Sequence, residues 1–280
     1  MSAYTYNTND DHDRQDSVPR DENSRTFETH FPAANIPLGL NMINIKPGID
    51  YRIRSYIDGI EPVDNKYEAF KATVHLDTWS PGTLLGAGCT WLDVSKWDRG
   101  FQFGRVPATG ELTDGHPYIS DITFERPFEQ VPKIVVWLHT LNIHSRYEAR
   151  IWALAKDVTA TGFKLDVHTW KESHLFDCKV SWVAVPQNWP NVTAGNHIFN
   201  GDGNPLPEFK TQITSDKPFK RAPRVLVALN KIHAYKTQGL QIEAKAENVT
   251  PEGMTLSIKS WHGCAVFEAG VAYIAIEIAD

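Results

Sequence analysis

Three tryptophans, Trp79, Trp170 and Trp261, stand 91 residues apart, and each closes a run that reads as a β-strand. The runs are ATVHLDTW from Ala72, FKLDVHTW from Phe163 and MTLSIKSW from Met254. A second aromatic follows each tryptophan by 12 positions, at Trp91, Trp182 and Tyr273. Repetition at a fixed period constrains a chain more than composition does, because one structural unit must serve several times. The 280 residues hold three copies. They divide into residues 1–97, with a polar N-terminal segment, then 98–190 and 191–280.

Copies two and three align without a gap over most of their length. Arg126-Pro127-Phe128 matches Lys217-Pro218-Phe219, and Pro132-Lys133-Ile134 matches Pro223-Arg224-Val225. The first copy is more divergent: Thr26-Phe27-Glu28 answers Thr123-Phe124-Glu125, and the segment from Gly39 to Ile45 answers Trp137 to Ile143. Boundaries fall near Ser95 to Gly100 and Pro186 to Gly195, which are rich in polar and turn residues. Each copy yields about six short strands punctuated by Pro, Gly, Asn and Asp, and no stretch sustains helical spacing. The expected fold is all-β, three tandem six-stranded antiparallel β-sandwiches.

Alternation within the runs assigns faces, since side chains of equal parity share a side of the sheet. Ala72, Val74 and Leu76 form the apolar phase of the first run, Phe163, Leu165 and Val167 of the second, Met254, Leu256 and Ile258 of the third. All three tryptophans fall on the opposite, polar phase. Each is therefore a ligand platform, a packing surface between repeats, or a core residue returned inward by a bulge. The aromatics 12 positions on sit in the apolar runs GCTWLDV, KVSWVAV and VAYIAI and are expected in the core.

A net charge of −6 argues against a nucleic-acid partner. Lys217, Lys220, Arg221 and Arg224 read as a solvated loop. No apolar run is long enough to insert into a bilayer. The polar, acidic N-terminus lacks the marks of a signal peptide, so the expectation is a cytoplasmic protein, or one exported without a classical signal. Cys89, Cys178 and Cys264 lack metal-ligand spacing, and no metal or cofactor is implied. No His-Glu-x-x-His, phosphate loop or nucleophile elbow is present, and the expectation is a non-enzyme.

The ordered set Ile122 to Phe128, Pro132 to Val136, Arg150 to Ala153, Val158 to Phe163, Thr169-Trp170 and Ser181 to Ala184 resembles the H-type lectin family of carbohydrate-binding domains. Copy two fits nearly completely, copy three well, and copy one over its second half. The resemblance implies a six-stranded sandwich that assembles as a trimer, with galactose or N-acetylgalactosamine bound between neighbouring subunits. Three tandem copies then imply an intramolecular pseudo-threefold trimer and a multivalent lectin for glycans or glycoconjugates, with further self-association left open.

One side of the implied site is the Thr-Trp-His segment with an aromatic six residues later. It carries over to Trp79, Trp170 and Trp261, with the histidine kept only as His262 and replaced by Ser80 and Lys171 elsewhere. The later aromatic becomes Leu85, Phe176 and Phe267. The other side is an arginine, at Arg52 and Arg150 with Gln241 in the third copy, and a loop acid, placed at Asp16, Asp114 and Asp202. Such a set suits a sugar, because guanidinium and carboxylate serve vicinal hydroxyls while a ring covers the apolar face. The best-formed site is expected to join Trp261 and His262 to Arg52 or Arg150 of a neighbouring repeat. The competing expectation is a structural or adhesion scaffold that has lost sugar binding, which Gln241, Leu85 and the missing tyrosines favour.

Overall fold

The computed structural model describes residues 2–11, 18–30, 32, 35–63, 68–95, 100–107, 109–187, 189, 191–215, 217–235 and 238–277. Repeat one supplies β1 (Ser2–Asn7), β2 (Ser24–Thr29), β3 (Leu38–Ile45), β4 (Tyr51–Pro62), β5 (Phe70–Asp77) and β6 (Leu84–Asp93). Repeat two supplies β7 (Gln102–Val106), β8 (Tyr118–Thr123), β9 (Lys133–Ile143), β10 (Ala149–Lys156), β11 (Gly162–His168) and β12 (Leu175–Val185). Repeat three supplies β13 (Val192–Asn200), β14 (Glu208–Thr214), β15 (Arg224–Ala234), β16 (Leu240–Thr250), β17 (Gly253–Ser260) and β18 (Val266–Ile276). No helix of the described residues is long and apolar enough to cross a membrane.

The all-β class and the six antiparallel strands per repeat are as expected, and the sheets run on from one repeat into the next. Each repeat splits into two three-stranded halves, and each half joins a half of another repeat edge to edge. The sheet orders are β1-β6-β3-β16-β17-β14, β2-β5-β4-β9-β12-β7 and β13-β18-β15-β10-β11-β8. Repeat one thus pairs with two, two with three, and three with one, closing a cycle. The joins are short. Tyr51–Arg54 lies against residues 140–143, 149–152 against 231–234, and 240–243 against 42–45. Ladder pairing at each join stops at these four residues. The polar N-terminal segment contributes β1, in which Tyr4 and Tyr6 pair with Trp91 and Cys89.

The sandwich cores draw on the apolar phases as assigned: Val74, Leu165 and Leu256 are all fully buried. Trp91, Trp182 and Tyr273 lie in that core. A second core forms where the repeats meet, from Leu92, Phe101, Trp137, Val183, Leu226 and Ile274. Strands that feed both cores are buried on both faces, which is why the runs in β9, β12 and β18 read as continuous apolar stretches. Gly39, Trp137 and Ala228, equivalent positions of the three repeats, converge in this second core. A Cβ on Gly39 would lie 2.5 Å from that of Trp137 and 2.6 Å from that of Ala228.

Candidate functional site

Each marker tryptophan falls just beyond a strand, at the start of a tight turn. Gly82 N donates to Trp79 O, Ser173 N to Trp170 O and Cys264 N to Trp261 O, at 2.8, 3.4 and 3.0 Å. No register shift interrupts β5, β11 or β17 near its tryptophan, so no bulge returns the ring to the core. All three rings are half-buried. The polar phase around them is less open than alternation suggests. Asp77 accepts from Asn23 N at 3.1 Å and Tyr56 Oη at 2.8 Å, while Asp166 is held by Lys156 and His168; both carboxylates are buried.

The arginines stand beside the tryptophans of their own repeats. Arg54 faces Asp77 and Trp152 faces His168, which brings Arg52 level with Trp79 and Arg150 level with Trp170. Threonine hydroxyls fasten the pairs: Thr78 Oγ1 donates to Arg52 O at 2.5 Å, and Thr169 Oγ1 to Arg150 O at 2.6 Å. Trp261 and His262 follow β17, in the sheet that joins repeats three and one, whereas Arg52 on β4 and Arg150 on β10 lie in the other two sheets. The expected pairing of Trp261 and His262 with either arginine is therefore not formed. Strand order across repeats decides this, and a single strand's sequence does not carry it.

The fullest cluster lies at the join of repeats two and three. Arg150 is 5% exposed and pairs with Glu148. Its Nη1 donates to Ser173 Oγ at 3.3 Å and lies 3.7 Å from Glu172. Repeat three brings His233 opposite it, with Nε2 3.0 Å from Glu148 Oε2 and 3.3 Å from Arg150 Nε. His233 packs edge-on to Trp170 at 5.8 Å and lies 5.0 Å from the Phe267 ring. Lys231 sits 4.4 Å from the Trp152 ring and 5.5 Å from that of Trp170, paired with Glu268. Burial holds His233 below the ordinary histidine pKa, against the pull of Glu148, and its Nδ1 is buried without a hydrogen-bond partner. The result is a neutral imidazole, an ion pair and two aromatic rings drawn from two repeats.

The other two joins are poorer. Between repeats one and two, Arg52 is occupied by Ser80 O and by Asp50 at 3.1 Å, while its Nε is buried without a partner. Asp50 also accepts from Ser145 N at 3.2 Å and lies 3.3 Å from His144, which stacks on Phe176 at 5.5 Å. Trp79 is covered by Arg54 at 5.9 Å. Between three and one, Gln241 Nε2 donates to Ile45 O at 3.1 Å and faces Asn44. Leu85 is half-buried there, and His262 is exposed, with a left-handed φ of 51°.

The loop acids adjoin the later aromatics. Asp202 lies exposed in a turn fastened by Gly201 N donating to Phe267 O at 2.9 Å, with a φ of 51°. Asp114 is exposed in a turn whose Leu112 bridges Leu175, next to Phe176. Asp16 lies outside the described residues. Glu148, Lys231 and His233 escaped the sequence reading. The alternation Lys231-Ile232-His233 at the end of an apolar strand was the available signal, but its partner across the join was not.

Half-buried rings thus stand beside an arginine, carboxylates and an imidazole on an all-β frame, an arrangement chemically suited to a small polar ligand with an apolar face. The H-type lectin domain matches residues 119–185 and 210–276, most of repeats two and three. Repeats two and three each carry an H-type lectin domain, and repeat one lies outside both matches. Over 68 residues the chain is 28% identical to "ATP synthase subunits region ORF 7" of Fuscovulum blasticum. That stretch is 24% of this chain and 59% of the relative, so the chain spans less than two thirds of its length. Two structures of discoidin II from Dictyostelium discoideum, recombinant and wild-type, are 12% identical and cover 64% of this chain and 96% and 94% of theirs. Their TM-score of 0.28 is too low to support an inference.

Proposed function

We propose that the cluster at the join of repeats two and three binds a terminal galactose or N-acetylgalactosamine residue. Trp170 and Phe267 cover the apolar face of the ring, and Arg150, Glu148 and His233 serve its hydroxyls. The observation that carries this reading is the meeting of Arg150, Glu148 and His233 beside Trp170, with one imidazole nitrogen buried and unpartnered. A sugar hydroxyl is the group such an acceptor lacks, and a buried polar atom left unpaired costs about 1–3 kcal/mol.

The join of repeats one and two is a weaker second site, because Arg52 meets Asn142 across the join where Arg150 meets the imidazole of His233. Two sites on one chain raise avidity for clustered glycans, since the second contact is intramolecular. At the third join the scaffold reading is favoured, because Gln241 bonds to Ile45 O and no arginine faces Trp261. Calorimetric titration with galactose, N-acetylgalactosamine and a non-galactose control tests the proposal. Binding lost in Trp170→Ala and kept in Trp261→Ala is the expected result. No binding of any saccharide by the intact chain, with glycan-array screening included, overturns it.

A further inference from the structure

Ladder pairing at the joins stops after four residues each, and below two of the joins the structure opens into a cavity. Between repeats two and three, Trp152 and Lys231 form the last pair of the join, the ammonium 4.4 Å from the ring. Between three and one, a cavity of about 330 Å³ is lined by residues of both signs, Asp10, Glu243 and Lys245 among them. Between one and two, a cavity of about 420 Å³ is lined by Arg54, Arg105, Lys179, Tyr56, Thr140 and His139, with no carboxylate in its lining. Equivalent places at two joins thus carry different chemistries, and the positive charge of this cleft comes from its own residues.

The charges are poorly compensated. Arg54 reaches Asp77 only at 3.6 Å. Arg105 donates from Nε and Nη2 to the same carbonyl, Ile36 O, at 3.2 and 2.6 Å, and burial lowers its pKa to about 10. Among the described residues neither Arg105 nor Lys179 makes an ion pair within 4 Å. Asp177 lies within electrostatic reach of Lys179 without an ion pair inside 4 Å among the described residues, and burial raises its carboxyl pKa above the ordinary range. His139 is 5% exposed; its Nδ1 lies 3.2 Å from Ser55 O, which fixes the proton there, and Nε2 is a buried acceptor without a partner. A ligand that satisfies both features carries an anion for the three cations and a hydroxyl for the imidazole.

We propose that this cleft binds the oxyanion of an acidic saccharide, a sulfate ester or a carboxylate, with a neighbouring hydroxyl donating to His139 Nε2. The saccharide part rests on the lectin reading; the oxyanion part stands on the cleft alone. NMR titration of the full chain with sodium sulfate, against sodium chloride at matched ionic strength, tests the second. Saturable shifts at Thr140 and Lys179 are expected, about tenfold weaker in Lys179→Gln, with Arg54→Gln, an exposed position, as the second variant. No saturable response in the wild type, or a response in both variants equal to that of the wild type, overturns the site. Galactose 6-sulfate and galacturonate then distinguish the sources of the anion, and either should bind at least about tenfold more tightly than inorganic sulfate. Affinity equal to that of sulfate for both overturns the saccharide part. Sulfate binding with no response to neutral galactosides removes the lectin site at Trp170 and leaves the anion site standing.

Discussion

The indole Nε1 of Trp137 donates to the main-chain carbonyl of Ala272 at 2.9 Å, a bond that runs from the second repeat into the third. The indole fits because Gly39 and Ala228 hold the equivalent positions of the other repeats, and three indoles would not fit there. Enlarging Gly39 should therefore be costly. We expect Gly39→Val to destabilise by about 3 kcal/mol, and Trp137→Ala by about 3–5 kcal/mol, read from denaturant midpoints. A Gly39→Val midpoint equal to the wild type would contradict the close approach.

Arg150 and Glu148 are predicted to act as one unit in stability and binding. Arg150→Gln installs the residue type that repeat three has at Gln241, and leaves Glu148 without its cation. Galactoside affinity should fall at least about tenfold and stability by about 1–3 kcal/mol. His262→Ala, at an exposed position in the other join, should change affinity less than about twofold. Parallel titrations of the two variants decide between them.

Stability should fall with acid through His139. Its burial, reinforced by the charges of Arg105 and Lys179, lowers its pKa to about 3. The unfolded chain takes up that proton near 6.5, so between about 6.5 and 3 the unfolded state binds one proton more. Stability is then lost at about 1.4 kcal/mol per pH unit as pH falls. Asn41 and Asn230 occupy this position in the other repeats, and His139→Asn should remove that part of the slope. Identical pH profiles for the two proteins would rule the assignment out.

A fragment ending at residue 190 should not fold cooperatively, because β3 and β10 would lose their partners β16 and β15. Supplying residues 191–280 as a second chain should restore a sharp transition. Cooperative unfolding of the shorter fragment alone would show that the joins are dispensable.

Much of the frame was legible in the sequence because it rests on local rules. The period of the tryptophans gave three units, and alternation put Val74, Leu165 and Leu256 inside and the tryptophans outside. β1 was missed because only Tyr4 and Tyr6 mark it among polar neighbours. The site was legible one repeat at a time: Arg150 and Trp170 were named, yet His233 and Glu148 were not. His233 acquires its role from a strand pairing between repeats, and the same pairing removed Trp261 from any arginine. Alternation also misjudged Asp77 and Asp166, which point to the polar face but are buried by hydrogen-bonding neighbours.

The closing join ties Gln241 to Ile45, 196 positions apart. During synthesis, the edge of β3 emerges early and waits for most of the chain before β16 exists to cover it. An uncovered edge offers its amides to any passing strand, and contacts this distant form late. The same geometry that gathers Arg150 and His233 from two repeats thus leaves the nascent protein with an interval of vulnerability. Until the last repeat leaves the ribosome, a second copy of the same chain is the most similar partner within reach.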